Sequence, residues 1–471
     1  MDLRLAQLFL FLYFIRPQDW VQSLIGLNVV RPLMMIWMVV LFTRRERSPL
    51  PGLLRTPHDW VLLSYFAYVV WNAPDSQATF SAFFPLVVFY GLTVQSLTEW
   101  DKVLKYLKTW NWMLLSIAAI AVGSLYGVDL TGAVDATIRN AGRLAIGTWL
   151  CNNPNSLAHS VVVAIPVSFF LFFWKGGAGA RLVLFPLCAI IAGACAYFTG
   201  SKGAYLVAGC LIVMVFVIGR PIGVKALALA AAATMGVSAL SFLPRMERMG
   251  DLRSDEGVQG RLMAWELART ARDKTTTGEG WKQFVAIITW EGETIPKATH
   301  SSYVQVGADL GLSGIFLFVA GLWCAIHSLI SAHRLTRNDE LSERCRRTAM
   351  ILVIAYAISS WMINREYHTE YFLIIAIAAA IHRLCQAEAT QEVMSDLEAT
   401  AESEVEGEFP TISLSTQIEN GRALPRLAIQ DNDEESESKS FWTKIGFLDV
   451  LACSALTWCV VEIWDYVLTS L

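Results

Sequence analysis

Apolar runs recur along this chain, separated by short polar turns and by one polar interruption far longer than the rest. The runs fall roughly at 3–15, 28–42, 59–72, 78–97, 109–127, 156–174, 181–199, 203–219, 224–243, 302–331, 348–363, 370–384 and 445–469. Many approach the roughly 17–25 residues a helix needs to cross a bilayer. In lipid every backbone amide must be satisfied within its own element, which leaves helical bundles and closed barrels. Barrel strands alternate between apolar and polar positions, whereas stretches such as LALAAAATMGVSAL are continuously apolar. The pattern predicts an all-α, polytopic transmembrane helical bundle of about 12–13 spans.

Lysine and arginine set its orientation. With the N-terminus cytoplasmic, the basic segments TRRERSPLPGLLRT, EWDKVLKYLK, KGGAGAR, GRPIGVK and HRLTRNDELSERCRR all fall inside. WNAPDSQ, which has no basic residue, falls outside. The long interruption, Pro244–Thr299, is then also outside, as one large periplasmic loop if the cell is Gram-negative. The expected organisation is a transmembrane core over 1–385 with the loop at 244–301, a disordered acidic cytosolic linker over 386–440, and an additional C-terminal transmembrane helix over 441–471.

Composition supports the membrane reading and changes the charge picture. The chain has 55% hydrophobic and 17% charged residues, against about a quarter charged in an ordinary soluble domain. Residues 388–440 hold fourteen acidic against three basic residues, a local charge of −11. Since the whole chain carries −4, the remainder carries +7, which suits anionic lipid or an anionic substrate. The acidic stretch is either a tether for the last helix or a regulatory linker. Its Asp431-Asn432-Asp433 spells a metal-binding DxD, but on the inner face, and no metal site is expected. The nine cysteines show no disulfide or metal spacing.

Cations that violate the inside bias are informative. Arg16, Arg139, Arg143, Lys202, Arg365 and the arginines of the long loop all fall outside. Lys202 lies in TGSKG, between two spans, where it either meets a lipid phosphate or snorkels. Asn152 and Asn155 flank the Asn153-Pro154 turn; they either bind sugar hydroxyls or cap a helix, with Asn155 as the cap. In GRLMAWELARTARD, Arg261 and Trp265 are four residues apart on one helix face. They either grip a phosphate and stack a sugar, or belong to an interfacial helix whose Arg269 and Arg272 face lipid phosphates. His300, just before a span, is a general-base candidate or a boundary residue. Asp309, inside that span, must face protein, and an ion pair with Lys202 or an arginine is its structural alternative. His159 and His327 read as packing or interfacial residues.

Taken as a set, NPNSLA (153–158), TGSKGA (199–204), GRLMAW (260–265), TGEGWKQF (277–284) and HSSYVQVGADLGLSG (300–314) resemble the O-antigen ligase and polymerase superfamily of bacterial membrane glycosyltransferases. YFIRPQDW (13–20) is similar to the start of its putative O-glycosylation ligases. The resemblance implies a multi-pass inner-membrane enzyme with its active site facing the periplasm. It implies metal-independent, cofactor-free and inverting transfer of a glycan from undecaprenyl diphosphate to a hydroxyl of a glycan, lipid or protein acceptor. Arg261 and Lys202 would bind the diphosphate and His300 would activate or orient the acceptor hydroxyl. In the family the turn usually reads SRG, the histidine is commonly followed by Asn, and the acidic position is usually Glu; Lys202, Ser301 and Asp309 stand there here. A lipid-linked sugar flippase or transporter is the alternative. Neither reading has a nucleic-acid partner.

Overall fold

In the computed structural model the described residues are all but 45–49, 51, 219–222, 225, 228–255, 291, 407–440 and 471. They form a mostly helical protein. Among the described residues, six helices are long and apolar enough to cross a membrane: Ser76–Ser96, Pro154–Phe173, Ala180–Thr199, Ser302–Thr336, Thr369–Gln391 and Phe447–Ser470. Further helices match most of the other apolar runs, including Asp2–Phe14, Val30–Phe42, Pro57–Trp71, Trp100–Ser124, Lys202–Val217 and Glu340–Ser359. The expected run at 224–243 and the start of the long loop fall largely outside the described residues.

Two expectations are corrected. The acidic stretch read as disordered from 386 is helical through Glu406, continuing the Thr369–Glu406 helix, and Glu388 accepts a hydrogen bond from Trp100 Nε1 at 2.6 Å. Residues 407–440 lie outside the described residues. The long loop is also not wholly helical. After its helix, Glu256–Lys274, comes an antiparallel hairpin pairing Ala286–Trp290 with Glu293–Lys297. The β-branched run AIITW favours a strand, and Gly292, with φ of +85°, lies in the connection.

The helix Ser302–Ser331 is the hub, packing against Pro57–Trp71, the loop helix, Thr369–Glu406 and Phe447–Ser470. Ser301 caps it by accepting from Val304 N at 3.4 Å. At Gly311 the backbone leaves the helical region (φ 65°, ψ −165°), which turns carbonyls of the preceding turn away from the helix. Buried carbonyls need partners, and the TGEG turn supplies them. Glu279 N donates to Ala308 O at 3.0 Å, Gly280 N to Asp309 O at 2.7 Å, and Tyr68 Oη to Leu310 O at 2.9 Å. The two backbones touch. A Cβ on Gly278 would lie 2.6 Å from Asp309 O, and one on Gly311 would lie 2.1 Å from Thr276 O.

The C-terminal helix is fastened at both ends. Near its start Asp449 accepts from Trp323 Nε1 at 3.0 Å and Trp442 Nε1 at 3.0 Å, and lies 2.8 Å from His327 Nδ1. Near its end the buried Trp464 ring fills the space left by Gly307, where a Cβ would come within 2.8 Å of it. The Arg272 guanidinium covers that ring at 4.6 Å and pairs with Asp465 at 3.2 Å. Arg272 is therefore buried in protein, and Arg269 pairs with Glu266 at 2.6 Å; a lipid-facing role for Arg272 does not hold.

Gly311→Ala is expected to cost at least about 1–3 kcal/mol from backbone strain alone, with the collision against Thr276 added. Gly193→Ala, where a Cβ meets nothing within 4 Å, is expected to be neutral or slightly stabilising. Trp464→Ala should cost about 3–5 kcal/mol. Thermal unfolding in detergent checks all three.

Candidate functional site

His300 sits in the left-handed region at φ 53°, a strained conformation for a residue with a Cβ. The structure pins it from both sides. On one side Trp265 Nε1 donates to Thr299 O at 2.7 Å. On the other, Ser302 N donates to Ser360 O at 2.7 Å, Ser302 Oγ to Ile363 O at 2.8 Å, and Arg365 N to Ser302 Oγ at 2.9 Å. Burial first, then the charges of Arg261 and Lys297, push the imidazole pKa down to about 4. At neutral pH the ring is therefore unprotonated and able to accept a proton.

Arg261 stands on the loop helix directly after Gly260, where a Cβ would come within 2.7 Å of Lys297 Cε. The absent side chain lets the loop helix lie close to the hairpin. From there the Arg261 charge reaches both His300 and His159. His159 is buried, lies 3.3 Å from Ser359 Oγ through Nδ1, and faces Gly203, where a Cβ would be 3.3 Å from its Nε2. This contact brings in the Lys202 turn. Gly200 closes the preceding helix at φ 58° and Ser201 caps the next by accepting from Ala204 N at 3.5 Å. Lys202 is half-buried in that first turn.

Arg143 braces the same turn. Its Nε donates to Thr199 O at 2.9 Å and its Nη2 to Asn155 Oδ1 at 2.8 Å. The N-cap of the following helix is Asn153, which accepts from Asn155 N at 2.8 Å, and not Asn155 as expected. The N-terminal motif docks onto this region. Arg16 pairs with Asp19 at 2.6 Å and covers the Trp149 ring at 5.1 Å.

Three expected site residues stand differently. Asn152 has an exposed side chain, and its carbonyl accepts from Asn140 Nδ2 at 3.0 Å. Trp265 is buried, with its ring 6.2 Å from that of Trp361 and its indole N–H committed to Thr299; it holds the His300 segment in place. Asp309 is fully buried as expected, but its carboxylate is held by neutral donors and not by Lys202 or an arginine: Phe284 N at 3.0 Å, Tyr367 Oη at 3.1 Å and Gln305 Nε2 at 3.3 Å.

By sequence His159 reads as a packing or interfacial residue and Arg365 only as an outside cation, without the turn INREYHTE around it. The signal for the turn was present, as a polar run between two apolar ones. Arg365 in it contacts Glu370, which also takes the Tyr13 hydroxyl, and donates to Ser160 Oγ at 2.9 Å. Arg365, Glu370, Ser160 and His159 form the polar side of a small cavity of about 60 Å³ whose walls include Phe14, Trp110, Leu114 and Ile374. A second buried ion pair, Arg383 with Asp59 at 2.9 Å, is structural: Asp59 also closes a capping box with Thr56 and accepts from Tyr90 Oη at 2.7 Å.

The apolar helices of spanning length among the described residues fit a multi-pass membrane protein. The family model for O-antigen ligase matches residues 187–319. That stretch carries Lys202, Arg261, Trp265, His300 and Asp309, while Arg143, Asn152 and Asn155 lie before it. The match supports the O-antigen ligase and polymerase superfamily, whose members transfer glycans at membranes. No curated protein matches the chain.

The pKa of His300 gives a direct check. Arg261→Gln removes a positive neighbour, so the value should rise from about 4 toward the ordinary 6.5 without reaching it, because burial remains. Titration followed by histidine NMR in detergent reads the shift. Between those values the unfolded chain binds more protons at this ring, so its contribution to stability is present above 6.5 and is lost as pH falls through about 4.

Proposed function

We propose that this protein transfers a glycan from undecaprenyl diphosphate to an acceptor hydroxyl, as an O-antigen ligase-like enzyme or polysaccharide polymerase. In this reading the bundle has 12–13 spans in the bacterial inner membrane, and the long loop faces the periplasm. The observation that supports the proposal is that the Arg261 charge acts on both His300 and His159, and that His159 in turn faces Gly203 in the Lys202 turn. The cations are suited to the diphosphate.

The chemistry follows from these groups. The acceptor oxygen attacks the anomeric carbon while His300 takes its proton. The bond from that carbon to the diphosphate oxygen breaks, and the electron pair leaves with the diphosphate. Arg261 and Lys202 offset the charge that develops there, a service that preorganised cations perform without a metal. A single displacement inverts the anomeric centre. Trp265, Arg143 and Asn155 hold these side chains in register.

His300→Ala and Arg261→Ala are expected to lower transfer by about 100- to 10,000-fold with normal membrane insertion. Retained transfer by both purified variants, given lipid-linked glycan, would overturn the mechanism. Activity is expected to persist in EDTA. Loss restored by magnesium or manganese would remove the metal-independent step.

A further inference from the structure

Beside the His300 segment lies a second, unassigned pocket of about 360 Å³, within the size range of small-molecule sites, roughly 300–1,000 Å³. The hairpin, the first turns of the kinked helix and the 364–368 turn enclose it. Its lining includes Phe284, Lys297, Gln305, Asn364, Glu366 and His368. We propose that this pocket binds one uncharged sugar ring of a glycan, with Glu366 as its principal hydrogen-bonding group.

Glu366 is 5% exposed, yet its Oε2 has no hydrogen-bond partner among the described residues. A buried carboxyl oxygen left unpaired is costly, and a ligand hydroxyl would remove that cost. Burial, reinforced by the Asp309 charge, pushes its pKa up to about 8. At neutral pH the group keeps its proton and can both donate and accept, as a hydroxyl requires. His368 Nδ1 is likewise without a partner, on a ring stacked 5.1 Å from Trp149. The amides of Gln305 and Asn364 line the same wall, held in place by bonds to each other and to Thr299, and Phe284 adds an apolar surface. The carboxyl groups of Glu366 and Asp309 stand in the same lining as the ammonium groups of Lys282 and Lys297, and such a mixed set of donors and acceptors suits a polyhydroxyl ligand.

The pocket adjoins the transfer centre. Asn364 Oδ1 accepts from Thr299 Oγ1 at 3.2 Å, and Lys297, which lines the pocket, is one of the two charges acting on His300. The identity of the ligand as part of a transferred glycan rests on the function proposed above. The sugar belongs either to the donor or to the acceptor.

Saturation-transfer NMR on the purified full chain tests this, with methyl glycosides of glucose, galactose, N-acetylglucosamine and rhamnose as probes. At least one is expected to receive saturation from the native protein. Glu366→Ala should weaken that signal about tenfold, the loss of one hydrogen bond between neutral groups. Val285→Trp, at an exposed position of the pocket lining, should block it without disturbing the core. Absence of saturation for all four probes, or signals unchanged in Val285→Trp, overturns the proposal. Displacement of the glycoside by an undecaprenyl diphosphate glycan assigns the pocket to the donor sugar, and persistence assigns it to the acceptor. His300→Ala separates the two readings. Glycoside binding that survives there while transfer is lost supports both. Unimpaired transfer in that variant, with glycoside binding still dependent on Glu366, leaves the pocket standing and removes the proposed role of His300.

Discussion

The backbone crossing between Thr276–Gly280 and Ala308–Gly311 is the contact on which the rest of the site depends. A membrane helix that breaks at Gly311 leaves carbonyls of buried residues turned away from their own helix. The loop meets that demand with its own N–H groups, at a separation only glycine permits. The polar loop is thus not an appendage resting on the bundle. It completes the hydrogen bonding of the central helix, and so the segments on either side of it, Arg261 before and His300 after, are fixed relative to that helix.

The same contact explains how a strained histidine persists. Its left-handed backbone is tolerated because Thr299 is held from the loop side by Trp265 and Ser302 from the bundle side by the 360–365 turn. Loop and bundle each supply one half of the constraint. The electrostatics follow from the same enclosure: burial together with Arg261 and Lys297 keeps the imidazole neutral, as a proton acceptor must be. Arg143 does comparable work for Lys202 by bonding to the end of the preceding helix and to Asn155.

The C-terminal helix acts as a strap. Asp449 fastens one end to the far part of the hub helix, and Trp464 with Asp465 fastens the other to Gly307 and Arg272. The loop helix is held between hub and strap, which gives a physical reason for an extra helix beyond the acidic segment. Arg272, which sequence position alone would send toward lipid phosphate, is turned inward by a partner nearly two hundred residues away.

The sequence by itself determined the helical membrane architecture, because apolar runs of spanning length are a local property that bilayer physics reads directly. It also singled out short polar motifs, since His300, Arg261 and Lys202 stand as polar groups beside apolar runs, where polar groups are costly. It anticipated the loop helix around Arg261–Asp273, and Asp309 facing protein. What it did not contain was adjacency. The hairpin arises from a short β-branched run inside a polar loop, and it packs against the loop helix. That Asp309 is held by neutral donors, that Trp265 supports His300 with its ring buried, that Asn153 and not Asn155 caps its helix, and that His159 and Glu366 face cavities are all consequences of which distant segments meet. Those meetings are set by tertiary packing, and above all by a glycine-only contact between two backbones more than thirty residues apart.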